Sequence, residues 1–171
     1  MTTGLTARLF LAVVVVAIGS FAGNSFAVDK AKALELSKVL GQARLFSGLT
    51  DKERAELKSA ATLRHCKEGE RIIEQGKPSD RMFIVIESQA EVRVDGRLVA
   101  TLPEQSLVGE VEFLDMLPAR ADVAILKESH LIELNNAELT SLMKKHPRMG
   151  YVLMSEIARI EGRRLRAKDM K

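Results

Sequence analysis

The residues with most chemistry to offer lie between Gly109 and Ala124, in the run G-E-V-E-F-L-D-M-L-P-A-R-A-D-V-A. Gly109 lets a backbone approach a ligand closely. A short helix starting after it would aim free N–H groups at an anion. Arg120 can offer a bidentate fork to a phosphate, and Glu110 can accept a hydrogen bond from a sugar hydroxyl. Together these outline a pocket for a phosphorylated sugar. A solvated loop carrying an incidental arginine is the alternative.

No other group of residues has the pattern of a catalytic site. His65, His130 and His146 are scattered along the chain without metal-site spacing. Cys66 is the single cysteine, so a disulfide within the chain is excluded. It falls in an alternating segment and is expected to be a buried or half-buried thiol. No elbow motif surrounds Ser47 or Ser155. The expectation is a non-enzymatic protein with no catalytic residue, no metal site and no cofactor.

The elements that must position the Gly109–Ala124 stretch are short and strand-like. Met82 to Ile86 is a dense apolar run rich in β-branched residues. Ala90–Val94 and Arg97–Leu102 flank Asp95-Gly96, a strong signal for a type I′ hairpin turn. Thr62–Cys66, Arg71–Gln75, Asp122–Leu126 and His130–Leu134 read as further strands. With no βα alternation, the pattern is an antiparallel barrel or jelly roll with flanking helices. A helix is expected over Asp29–Leu45. Thr50 to Glu53 has the form of a capping box, opening a second helix that runs to about Ala60. After Asn135 the period becomes helical. One helix ends at His146-Pro147, and another starts near Pro147 with an apolar stripe of Met149, Leu153, Ile157 and Ile160. Gly162 should weaken the end of that helix. The basic tail from Arg163 reads as a solvated C-terminus that complements the helix dipole.

Composition bounds the partners. Of 171 residues, 46% are hydrophobic and 29% charged, and the net charge of +3 comes from interspersed acids and bases. Only 4% are aromatic and none is Trp, so no stacking platform for bases is evident and nucleic acid is not expected as a partner. Residues 1–27 differ from the rest. Leu9 to Ala22 is almost wholly apolar, and Ser25-Phe26-Ala27 forms a small-residue cleavage signal before Val28. This is the pattern of a secretory signal peptide. It predicts a periplasmic or secreted protein, the alternative being a membrane anchor formed by residues 9–22. The predicted organisation is a signal peptide over 1–27, a helical segment over 28–49, a barrel with its leading helix over 50–134 and C-terminal helices over 135–171.

From about Leu45 to Arg164 the chain resembles the cyclic nucleotide-binding domain of catabolite-activator-type regulators and protein kinase A regulatory subunits. Leu45-Phe46-Ser47-Gly48-Leu49 is similar to the family's opening helix and turn. Lys67-Glu68-Gly69-Glu70-Arg71-Ile72 resembles its K-x-G-E-x-I run, and Asp80 to Val85 its D-x-x-Y-F-I strand. Gly109-Glu110 with Pro118-Ala119-Arg120-Ala121 resembles its phosphate-binding cassette. The resemblance implies an eight-stranded jelly roll. It also implies four ligand-binding residues. Gly109 would form the phosphate-facing turn, Glu110 would take the ribose 2′-hydroxyl, Arg120 would pair with the cyclic phosphate, and Ala121 would offer a backbone N–H. The implied partners are a cyclic nucleotide or another small anionic ligand, and a second copy of the chain through the C-terminal helix.

Two registers remain open. Spacing from Glu110 keeps Arg120 in the arginine slot, whereas anchoring on Val123 puts Ala119 there. A one-residue slip reverses the facing of a side chain. Glu112 and Asp122 are carboxylates where the family prefers a small residue and Thr or Ser. The sequence therefore leaves two functions open: a weak cyclic nucleotide binder, or a degenerate barrel acting through protein contacts.

Overall fold

The structure is a computed structural model that describes residues 34–169. The expected signal peptide, and the start of the first expected helix, lie outside the described residues. Helix α1 spans 34–42 and ends short of Leu45, because the chain tightens into a 3₁₀ turn at Arg44–Phe46 that buries Leu45 and Phe46. Helix α2, Asp51–Glu56, opens on the expected reciprocal cap. The Glu53 N–H donates to the Thr50 hydroxyl at 3.3 Å, and the Thr50 N–H donates to the Glu53 carboxylate at 2.8 Å. A second 3₁₀ turn, Leu57–Ser59, replaces the last turn of the helix expected to reach Ala60, and it buries Leu57.

Eight strands follow: β1 Ala61–Cys66, β2 Arg71–Ile73, β3 Arg81–Val85, β4 Ala90–Val94, β5 Arg97–Leu102, β6 Leu107–Val108, β7 Asp122–Ile125 and β8 Ser129–Asn135. They form two antiparallel four-stranded sheets, ordered β1-β8-β3-β6 and β2-β7-β4-β5. The β4–β5 hairpin turns on Asp95 and Gly96 with φ of 49° and 74°, the double positive φ that a type I′ turn requires. Helix α3, Glu110–Asp115, interrupts the strands between β6 and β7. Helices α4, Asn136–Lys145, and α5, Pro147–Asp169, close the described chain.

Alternation along the strands of the first sheet splits the interior in two. Met82, Ile84, Ile132 and Leu134 face the helices and join Leu40, Phe46, Leu139 and Met149 in one apolar cluster. Phe83, Val85 and Leu131 face the second sheet and meet Ile73, Val123 and Ile125 in another. The α5 stripe belongs to the first cluster: Met149, Leu153 and Ile157 are buried and Ile160 packs against it. The stripe is thus covered by the chain's own core, and a homodimer through α5 would have to use another face. Asn135 caps α4 by accepting the Glu138 N–H at 3.0 Å. Gly162 does not end α5, which continues through it to Asp169. The contacts of Arg164, two residues beyond Gly162, hold those last turns in place.

Candidate functional site

The site begins at Gly109, which has φ +84° and caps α3. A Cβ here would lie 2.6 Å from the Arg81 carbonyl oxygen and 3.2 Å from Met82 Cα. Only glycine satisfies both the left-handed backbone and this approach to β3. The turn delivers Glu110, the first residue of α3, into the protein, where it is 3% exposed.

Glu110 is already engaged. Arg164 of α5 places Nη1 on Glu110 Oε1. The same nitrogen donates to Glu161 Oε1 at 2.8 Å, and Nη2 donates to the Leu107 carbonyl at 2.6 Å. The other carboxylate oxygen, Oε2, is buried without a hydrogen-bond partner. Burial pushes the Glu110 carboxyl up to about 7, outweighing the pull of Arg164 in the other direction, and the negative charge of Glu161 adds to the rise. A buried carboxylate with one free oxygen beside one guanidinium can hold or release a proton near neutral pH.

The other end of the cassette is built differently. Ala119 is bound on both sides, its N–H donating to the Lys77 carbonyl at 2.9 Å and its carbonyl accepting from the Gly76 N–H at 2.7 Å. It is 3% exposed and belongs to the cluster between the sheets. Arg120 is exposed and makes no hydrogen bond or ion pair among the described residues. Ala119 faces inward and Arg120 outward, the facing that anchoring on Val123 gives them. The two backbone hydrogen bonds to the β2–β3 loop fix this facing. The two residues expected to converge on one phosphorylated sugar differ in setting: Glu110 is buried and Arg120 is exposed. Ala121 is half-buried just before β7. Asp122 is held away, its Oδ1 accepting the Gln75 N–H at 2.8 Å with Arg71 Nη1 at 3.5 Å. Glu112 is half-buried on α3.

Other charges near the barrel interior neutralise one another. Arg64 on β1 pairs with Glu70 at 2.7 Å and with Glu133 of β8 at 3.1 Å, and its guanidinium lies 5.7 Å over the Phe83 ring. Arg81 approaches the other Glu133 oxygen at 3.5 Å. Cys66 is buried, and burial pushes its thiol up to about 11, far from a nucleophilic thiolate at neutral pH. Two cavities are formed elsewhere. One lies between Ser88, Pro103 and Lys127, the other between α1 and α2, and neither includes Glu110 or Arg120.

Arg164 is the site residue that the sequence did not reveal. Its basic neighbours and terminal position suggested a solvated helix end. The one local hint is Glu161 three residues before it, because the contact with Glu110 spans 54 residues.

The two-sheet jelly roll, α3 between β6 and β7, and the paired helices that follow all find counterparts in known proteins. Residues 63–146 match the model of the cyclic nucleotide-binding domain. Over those residues the chain is similar to the cyclic nucleotide-binding family. A solved cyclic nucleotide-binding domain from Methylobacillus flagellatus superposes with a TM-score of 0.69 at 18% identity, covering 82% of this chain and 81% of that one. At that identity the likeness speaks for the fold. The cAMP-dependent protein kinase regulatory subunit of Mycosarcoma maydis is 34% identical over 91 residues, which are 51% of this chain and 17% of that protein. Glutaminase 1 of Bradyrhizobium diazoefficiens is 28% identical over 127 residues, 74% of this chain and 21% of that protein. The chain thus spans about a fifth of the length of these two relatives.

Proposed function

We propose that this chain is a non-enzymatic module of the cyclic nucleotide-binding family that binds cyclic nucleotide weakly or not at all. The observation that carries this reading is the capture of Glu110 by Arg164. A ribose hydroxyl that takes Glu110 Oε1 must displace a charge-assisted contact worth about 1.5–3 kcal/mol net, and Oε2, the oxygen without a partner, is buried. That contact is worth about one to two decades of affinity. At the phosphate end the inward position holds Ala119, which brings no charge, and Arg120 faces solvent. Both ends of the cassette therefore weaken the ligand.

A second reading, a module for protein–protein contacts, is favoured by the tip of the cassette. Leu114, Met116 and Leu117 are 44%, 88% and 60% exposed, side by side in a turn that buries little else. Export of the chain remains part of the proposal. It is supported by the apolar Leu9–Ala22 stretch and the Ser25-Phe26-Ala27 signal. N-terminal sequencing of the protein from its own host distinguishes a chain starting at Val28 from an anchored one that keeps Met1.

The deciding experiment is calorimetric titration of the full chain with cyclic AMP and cyclic GMP. The expected result is a dissociation constant well above about 10 μM. Tighter binding, abolished by Arg120→Ala, overturns the reading. No heat at millimolar nucleotide puts the protein-contact reading in front.

A further inference from the structure

Charge is divided unevenly along the chain. Residues 34–135, the leading helices and the barrel, carry 14 basic and 18 acidic residues, a net of −4. Residues 136–169, helices α4 and α5, carry 8 basic and 4 acidic residues, a net of +4. Arg148, Arg159 and Arg166 are exposed along one side of α5, and Lys144 and Lys145 are exposed at the corner between α4 and α5. From Arg148 to Arg166 this basic row is about 27 Å long, at 1.5 Å per residue. Part of its charge is answered within the chain: Arg148 pairs with Glu53, and Glu156 takes both Arg159 and Arg163. Lys144, Lys145 and Arg166 make no ion pair among the described residues. Beside the basic row lies an apolar one. Tyr151, Ala158 and Leu165 recur every seven residues, two turns of helix, on the side of α5 opposite the buried Met149, Leu153 and Ile157. Tyr151 is 74% exposed and Leu165 62%. The helix dipole favours cations in a last turn and accounts for the lysines that end α4. It gives no reason for an exposed tyrosine and leucine beside a row of arginines.

We propose that the outward face of α5, with the α4–α5 corner, docks on an anionic lipid surface. Such a surface attracts lysines and arginines held within a Debye length of it. A helix with a basic row beside an apolar one lies in the plane of the interface, its apolar side chains between the headgroups. Tyr151 suits that depth, with an apolar ring and a polar hydroxyl. Leu165 gains by leaving water for acyl chains, and the arginine stems cover apolar surface while their heads stay with the lipid phosphates. The rest of the chain, with its net of −4, is repelled by the same surface. The molecule is thereby oriented with α5 toward the lipid and the barrel away from it. A nucleic acid backbone would also attract the basic row, but phosphate and sugar contacts give no return for burying Leu165. The sequence points to the same occupant, since Leu9–Ala22 brings the chain to a bilayer in both readings of the N-terminus.

The test is sedimentation of the full chain with vesicles of phosphatidylcholine alone and of phosphatidylcholine with about 30% phosphatidylglycerol. The expected result is binding to the anionic vesicles that weakens as salt rises and exceeds binding to the neutral ones by at least about tenfold. Each basic residue near an anionic surface carries about fivefold in affinity, so Lys144→Gln/Lys145→Gln/Arg166→Gln should weaken anionic binding about a hundredfold. Leu165→Ser should weaken it severalfold, and Arg97→Gln, an exposed position on β5, should leave it unchanged. All of these side chains are exposed, and circular dichroism checks that the variants keep the fold. Equal binding to the two kinds of vesicle, which the N-terminal apolar stretch alone would produce, overturns the proposal. So does absence of binding, or unchanged affinity in the triple variant. Two further results overturn it by giving the face another occupant: tighter binding to a DNA duplex than to the anionic vesicles, or a dimer in analytical ultracentrifugation that Tyr151→Ser disperses.

Discussion

Two arginines define the difference between the ends of the cassette. Arg120 lies in the motif itself, yet it is exposed and touches no other charge. Arg164 lies 54 residues from Glu110 in sequence, yet it reaches Glu110, Glu161 and the Leu107 carbonyl with one guanidinium. A guanidinium gains little in water, where its partners are screened and its rotamers are costly to fix. Beside a carboxylate that is 3% exposed the balance reverses, because removing the cation leaves a charge with no compensation. What an arginine is worth is decided by the burial of its partner, and a motif does not record burial.

The largest expected effect comes from removing the buried partner. Arg164→Ala should destabilise the fold by about 2–3 kcal/mol at pH 8, below the usual range for a broken buried pair because the guanidinium is 29% exposed. Urea unfolding measures it. The cost should shrink toward pH 5, where a protonated Glu110 no longer needs the cation. A double-mutant cycle with Glu110→Gln isolates the coupling. A neutral Arg164→Ala at pH 8 would dissolve the contrast between the two arginines.

The next effect is the pH dependence that Glu110 gives to the intact protein. Its carboxyl is raised from 4.5 to about 7, chiefly by burial. Between those values the folded state binds the proton and the unfolded state does not, so stability falls as pH rises. The contribution is full below about 4.5 and lost as pH passes through about 7. Glu110→Gln should remove this slope, and urea midpoints taken across pH 4.5–8 would show it. A wild-type slope of the same sign and size in Glu110→Gln would mean that Glu110 is not the group responsible.

The sequence disclosed the fold more fully than the site, for physical reasons. Strand alternation, the Asp95-Gly96 turn and the Thr50 and Asn135 caps are local signals, each set by a few adjacent residues. They survive because backbone hydrogen bonding enforces them wherever they occur. Gly109 and Glu110 could also be read, because a glycine before a short helix is a local geometric need. The facing of Ala119 and Arg120 could not. It depends on the hydrogen bonds that Ala119 donates to the Lys77 carbonyl and accepts from the Gly76 N–H in another loop, and a shift of one residue exchanges inside for outside. Arg164 and the facing of His65 with His130 share this property, since both are made by tertiary contact alone. The apolar stripe of α5 was legible as a stripe. What covers it, the chain's own helices and first sheet, was not.

The smallest expected effect sharpens the comparison most directly. Arg120→Ala removes the arginine that the motif singles out, from a position where it is exposed and holds no partner. Surface changes of this kind stay within about ±0.5 kcal/mol, so its urea midpoint should coincide with that of the wild type at every pH. The Glu110 slope should persist unchanged, because Arg120 does not touch Glu110. Nucleotide titration should also give the same weak signal with and without the side chain. Any of three results would restore Arg120 to the site: a loss of more than about 1 kcal/mol, a displaced pH slope, or a nucleotide affinity that falls with the substitution. Each requires the guanidinium to find a partner that it does not have in this structure, where the neighbouring Ala119 is held by two backbone hydrogen bonds. The comparison of Arg120→Ala with Arg164→Ala therefore tests the register of the cassette in solution as well as the role of each arginine.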